Sequence, residues 1–173
     1  MKVRTFILGV LLFVFAAVSF ATAAGKKPTD EVRKASEQFY AALNRMLNGD
    51  AGPMADIWSH SAVVTTMHPI GGREVGWDNV RGSWEQVAKL ASDGKVGLKD
   101  QLIQVAGDVA YEEGFEHGQF KLAGQEITIE NRVTNIYRRE AGAWKIVHHH
   151  VDISPAMLDV LGRLQPPAGK TGK

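Results

Sequence analysis

At Gly94 the spacing of apolar residues changes from three and four to two, and this one change restricts the chain to an α+β order with its helices first. Before that point Val32, Ala35, Phe39, Ala42, Leu43, Met46 and Leu47 recur at helical spacing, with Glu31, Arg33, Lys34, Glu37, Asn44 and Arg45 on the opposite side. The spacing predicts an amphipathic helix entered at Thr29 or Asp30, whose side chains can accept the free amide hydrogens, and closed at Asn48-Gly49. Pro53 suits the first turn of a short second helix through Ile57. Trp77, Val80, Trp84, Val87, Ala88 and Leu90 or Ala91 form the stripe of a third helix that stops before Ser92-Asp93-Gly94.

Strands fill the remainder. Ser61 to Met67 is rich in β-branched residues and reads as one strand, and the glycine-rich Pro69 to Gly76 reads as a turn or short hairpin. After Gly94 four strands follow in a meander. Their apolar positions are Val96, Leu98, Leu102 and Val105; Val109, Tyr111, Phe115 and His117; Ile127, Ile129, Val133 and Tyr137; and Trp144 to Ile153. Pro155 opens a last short helix. The expected architecture is a cone-shaped curved antiparallel sheet with three N-terminal helices laid across its concave side, enclosing a pocket.

The run Arg132-Val133-Thr134, followed by Tyr137-Arg138-Arg139-Glu140-Ala141-Gly142-Ala143-Trp144-Lys145-Ile146-Val147-His148-His149-His150, is similar to the last hairpin of SnoaL-like, nuclear transport factor 2-like proteins. It also resembles the association domain of calcium/calmodulin-dependent kinase II. In these proteins a basic pair and a glycine turn precede Trp, a basic or polar residue, Ile-Val-His, any residue, and His. The helix-first order and the Gly76-Trp77-Asp78 entry to the third helix agree more loosely. The resemblance implies a ketosteroid isomerase-like cone and a homodimer. It implies no single chemistry, because the fold hosts isomerases, cyclases, epoxide hydrolases, assembly domains and plain binding proteins. The acid and base of the steroid isomerases and epoxide hydrolases have no matching positions in this chain.

Alternation along the last strand puts Trp144, Ile146, His148, His150 and Asp152 on one face and Lys145, Val147, His149, Val151 and Ile153 on the other. His148 and His150 beside Asp152 are the candidate catalytic pair, since imidazole titrates near neutrality and a carboxylate can fix its tautomer. The alternative is a set of hydrogen-bonded core or interface histidines. A third reading joins His60 or His68 to His148 and His150 around a metal, although a strand H-x-H recurs by chance and no zinc-site spacing accompanies it. Neither a metal nor a cofactor is expected. Arg132 lies in a strand whose positions Thr128, Glu130, Arg132 and Thr134 are all polar. Facing inward it would grip a carboxylate through two hydrogen bonds; facing outward it belongs to a solvated face of weak ion pairs. Trp58 and His68 are candidate pocket walls, Trp84 reads as core, and Tyr40, Asp100, Tyr111 and Glu113 are polar candidates of undetermined direction.

These residues support two functional readings. One is a small-molecule cone for an apolar or carboxylate-bearing ligand with acid-base, isomerase- or cyclase-like turnover. The other is a non-catalytic module that dimerises or meets a protein partner through its sheet.

The chain begins with Lys2 and Arg4, an apolar run from Phe6 to Phe20, and Ala21-Thr22-Ala23-Ala24, the order of a secretory signal cleaved after Ala23 or Ala24. Residues 1–23 are thus expected as signal peptide, 24–163 as one domain and 164–173 as a disordered tail, with the protein periplasmic or secreted. Cleavage removes two of the 20 basic residues and none of the 19 acidic ones, for a mature charge of −1. That balance attracts neither nucleic acid nor, once the signal is gone, a membrane surface. With no cysteine, the exported domain must be held by packing alone.

Overall fold

The computed structural model describes residues 27–164, so the expected signal peptide and the tail beyond Leu164 lie outside the described residues. Helix α1 spans Pro28–Met46, with Pro28 at its first position and Asp30 and Glu31 in the first turn, where the helix dipole favours acidic groups. The residue at its N-cap is Lys27, which makes no side-chain cap; the entry is set by proline rather than by the expected Thr29 or Asp30. Gly49, at φ 94°, ends the following turns. Helix α2 is Met54–Ile57.

Strand β1 covers only Thr65–Met67, shorter than the expected Ser61 to Met67. The cause is local: the Ser61 carbonyl accepts from the Val64 amide and the Ser61 hydroxyl from the Val63 amide, so the β-branched start is turned rather than extended. Strand β2, Glu74–Val75, pairs antiparallel with β1 and completes the expected hairpin. Helix α3 is Trp77–Leu90.

The meander follows as β3 Ala91–Ala106, β4 Val109–Leu122, β5 Gln125–Glu140 and β6 Ala143–Val151, and α4 Pro155–Leu164 ends the described chain. The sheet order is β2-β1-β6-β5-β4-β3, with β1 parallel to β6 and every other pair antiparallel. This is the expected α+β cone, a curved and unclosed sheet with α1, α2 and α3 at its N-terminal side. Ser92-Asp93-Gly94 does not separate helix from strand. It lies within β3 as a bulge, with Asp93 at φ 55°, and a second bulge follows at Asp100, φ 52°.

Two inward glycines of β4 let β3 lie close. A Cβ on Gly118 would meet the Lys95 carbonyl oxygen at 2.1 Å, and one on Gly114 would meet the Lys99 carbonyl oxygen at 2.7 Å.

The faces of β4 and β6 differ from the alternation read above. In β4 the buried phase is Ala110, Glu112, Glu116, Phe120 and Leu122, while the expected apolar phase Val109, Tyr111 and Phe115 is 47%, 40% and 39% exposed. In β6, Ile136 pairs with His148 but Tyr137 pairs with Ile146, so Val147 is an extra residue. That bulge reverses the phase: Trp144 and Ile146 share the inner face with His149 and Val151, and His148, His150 and Asp152 turn outward.

The core lies between the inner sheet face and the helices. Val32, Phe39 and Met46 from α1 and Val80 and Trp84 from α3 pack there with Ile127, Tyr137 and Ile146 from the sheet. Among the described residues no helix is long and apolar enough to cross a membrane.

Candidate functional site

The inner face contains an apolar cavity of about 50 Å³. Leu43, Met46 and Leu47 of α1 wall it on one side, Trp84 and Val87 of α3 on another, and Phe120 and Ile129 close it from the sheet. Pro69 and Ile70 of the β1-β2 turn, Val96 and Val151 of the sheet and Met157 of α4 complete the apolar lining. Three titratable side chains reach it: His68, Glu116 and His149.

Glu116 is 4% exposed. Burial pushes its carboxyl up to about 7; the neighbouring Glu112 adds to the rise, and a hydrogen bond from the Tyr40 hydroxyl at 3.3 Å opposes it. Tyr40 is itself held well above the ordinary phenol range, by burial first and then by Glu116 and Glu112.

His149 is 2% exposed, and burial first, then His68, His148 and His150, depress its imidazole well below the ordinary value. Its Nδ1 lies 2.7 Å from Asn135 Oδ1. The Asn135 amide nitrogen donates to Glu112 Oε2 at 2.9 Å, and the Tyr137 hydroxyl donates to the same oxygen at 2.8 Å. Gln101, turned inward beside the second β3 bulge, donates to Glu112 Oε1 at 2.5 Å. A fully buried carboxylate thus holds an amide that holds an imidazole at the cavity wall.

His68 is the third group. Burial lowers it to about 4, its Nε2 lies 2.8 Å from Ser83 Oγ, and its ring meets Trp84 edge-on at 4.6 Å. Trp84 also packs against His149, Trp58 and Phe39, so an aromatic cluster fixes both imidazoles. The arrangement offers one carboxyl that keeps its proton near neutrality and two imidazoles that have lost theirs, which is the separation proton transfer requires.

Of the candidate site residues read from the sequence, His68 lines this cavity, and Trp84, read as core, lines it too. Trp58 is 1% exposed and sits in the core against Trp84, joined to β6 by a bridge to Ile146. Arg132 faces out, with Nε 2.7 Å and Nη2 3.3 Å from the carboxylate of Asp152. His148 accepts or donates through Nδ1 to the Thr65 hydroxyl at 2.7 Å, and its ring is 6.1 Å from that of His150. His150, Arg132 and Asp152 border a shallow outer groove with Leu102, Glu113 and Phe115. The candidate pair His148 and His150 thus lies on the outer side of β6, and His149 is the histidine of this strand at the cavity. His60 stacks on Trp77 at 4.6 Å, and among the described residues no three His, Asp or Glu side chains group around a metal position.

Glu112, Glu116, Asn135 and His149 escaped the sequence reading, and one signal for them was present. Glu112 and Glu116 share the parity of Ala110, Phe120 and Leu122, so the inward phase of β4 was readable as apolar ends around two carboxylates.

The sequence matches the family model of the SnoaL-like domain over residues 32–157. No curated protein matches it significantly. Among solved structures, a candidate dehydratase of the nuclear transport factor 2-like family from Streptomyces avermitilis is similar at 24% identity, covering 72% of this chain and 94% of its own, with a TM-score of 0.64. A candidate calcium/calmodulin-dependent protein kinase type II association domain from Thiobacillus denitrificans matches at 23% identity, 70% and 94% coverage and a TM-score of 0.58. A candidate ketosteroid isomerase from Shewanella frigidimarina matches at 23% identity, 69% and 92% coverage and a TM-score of 0.57. At these identities the likeness is one of fold.

Proposed function

The chain belongs to the SnoaL-like domain family, and from that premise we propose that it is an exported protein whose inner cavity binds a small, neutral, mainly apolar molecule and moves a proton on it. The observation that carries this reading is Glu116, a carboxyl raised to about 7 by burial in an apolar cavity that it shares with a neutral imidazole. Glu116 serves as the acid and His149 Nε2 as the base. His149 takes a proton from the ligand, the electron pair shifts through the ligand's conjugated bonds, and Glu116 returns a proton at the far end; after release of the product the imidazolium gives its proton to water and the carboxylate regains one, which restores the resting pair. An isomerisation of this kind conserves atoms and consumes no co-reactant. With Arg132 on the other face, no Lys or Arg lines the cavity among the described residues.

Exchange of carbon-bound hydrogens tests this without knowledge of the natural substrate. Hydroxyacetone in deuterated buffer near pH 7, followed by proton NMR, is expected to lose its exchangeable carbon-bound protons faster with the protein than without it. Glu116→Gln is expected to reduce the enhancement by at least about 10²-fold. Exchange no faster than buffer would remove the acid-base reading. Export is supported by the N-terminal order of charge, apolar run and small residues, and mass measurement of the secreted protein is expected to show a start at Ala24 or Gly25.

A second reading, compatible with the first, rests on the outer face, where Leu102, Val109, Tyr111 and Phe115 are 46%, 47%, 40% and 39% exposed. It is that two copies pair through this face. Sedimentation is expected to show a dimer at micromolar concentration, and Phe115→Lys a folded monomer; a wild-type monomer would end this reading.

A further inference from the structure

The hydrogen bonds behind the cavity wall fix which atoms carry protons, and so what a ligand must bring. The Ser83 hydroxyl donates its one proton to the Val80 carbonyl at 2.7 Å. Ser83 Oγ can therefore only accept from His68, which places the His68 proton on Nε2 and leaves Nδ1 bare. Glu112 fixes the other imidazole. Because the Asn135 amide nitrogen is committed to Glu112, Asn135 Oδ1 faces His149 and accepts from its Nδ1–H, leaving Nε2 bare. Neither bare nitrogen has a hydrogen-bond partner among the described residues, and neither is sealed away as the indole nitrogens of Trp58 and Trp84 are.

Glu116 follows the same logic. Its Oε1 accepts from Tyr40 and its Oε2 has no partner among the described residues, so the carboxylic proton resides on Oε2. The side-chain polar groups of the wall amount to two lone-pair nitrogens and one acid proton, without a cation. Acceptors left unpaired by the wall and not sealed within it are free to take a hydrogen bond from a ligand that supplies protons.

We propose that the cavity selects an uncharged ligand bearing a hydroxyl donor, a phenol or an enol, whose O–H bonds to His149 Nε2 or His68 Nδ1 while a carbonyl or second oxygen accepts from Glu116. This rests on the cavity-binding reading above and narrows its ligand class. An anion meets two lone-pair nitrogens and no positive charge, with the single Glu116 proton as its one side-chain donor on the wall. An ether of the same shape leaves the imidazole nitrogens unmade, and discrimination by missing donors is steeper than discrimination by size. Met46 and Met157, unbranched and on the cavity wall, are the side chains able to move aside for a ring.

The test uses the folded domain at pH 6, labelled with nitrogen-15 and titrated with phenol, anisole and benzoate. Nitrogen shifts of the free protein are expected to report His149 protonated at Nδ1 and His68 at Nε2, and the opposite tautomers would overturn the proposal before any ligand is added. Phenol is expected to shift His149 Nε2 and the Trp84 indole signal, with anisole at least about tenfold weaker and benzoate without effect. Anisole binding as tightly as phenol, or benzoate binding tighter, would overturn the donor requirement and leave cavity binding intact. If none of the three moves the cavity signals, the binding reading fails and this proposal with it.

Discussion

Residues 112 and 113 are both glutamates, one bond apart in β4, and they live in different media. Glu112 is fully buried and accepts from Tyr137, Asn135 and Gln101, whereas Glu113 borders the open outer groove. The same contrast separates His149 from His148 and His150. Strand alternation assigns the face, and the face assigns the chemistry: inside, burial shifts proton affinities and every polar atom needs a partner, while outside, water does both tasks. The functional potential of this protein therefore lies in polar residues whose types look ordinary and whose parity does not.

The comparison breaks most visibly at Glu112 itself. Glu112→Ala leaves the buried Tyr137 hydroxyl and Asn135 amide without their acceptor, while Gln101 keeps Ser36, and is expected to cost about 4 kcal/mol in urea unfolding, against about 0.5 kcal/mol or less for Glu113→Ala. Equal losses would mean that parity does not decide the roles of the two residues.

Glu116 sharpens the contrast through pH. Its folded-state value is raised, so the folded protein keeps a proton that the unfolded chain loses in the ordinary carboxyl range, and stability falls as pH climbs from there to about 7. Glu116→Gln removes that loss and is expected to gain about 3 kcal/mol at pH 8 with little change at pH 4. His68, lowered to about 4, acts with the opposite sign: the unfolded chain binds a proton that the fold refuses, so stability falls as pH drops from 6.5 toward 4. The variant is expected to retain this acid limb and lose the alkaline one.

Much of the architecture is legible in the sequence, because it rests on periodicity. Val32 to Leu47 and Trp77 to Leu90 repeat at helical spacing, and the turns at Gly107, Gly124 and Gly142 divide the meander where the strands divide. The family hairpin from Arg132 to His150 pointed to the same fold. The site was far less legible. A single extra residue, Val147, reverses the parity of everything after it in β6, and nothing in Ile146-Val147-His148 marks it as a bulge. In β4 the exposed apolar residues Tyr111 and Phe115 outweigh Ala110 and Glu112 in a hydropathy count, so hydropathy does not pick out the inner face. Asn135 gave no signal at all, since its role depends on Glu112 behind it and His149 in front.

The smallest expected effect lies at the Arg132–Asp152 pair. Asp152 is held below the ordinary carboxylate range chiefly by hydrogen bonds from Arg132, yet both side chains are largely in water, where such a pair adds little to stability. Arg132→Ala is expected to return the Asp152 titration to its ordinary range by NMR while leaving the melting temperature unmoved in the monomeric Phe115→Lys background. In the wild-type background the same change tests what covers the outer face. If two copies meet there, the pair leaves water on association, its loss strands Asp152 in a drier place, and melting becomes lower at low protein concentration than at high. A melting temperature indifferent to both concentration and Arg132 would show the outer face to be solvated in solution, and would leave the inner cavity as the sheet's one working surface.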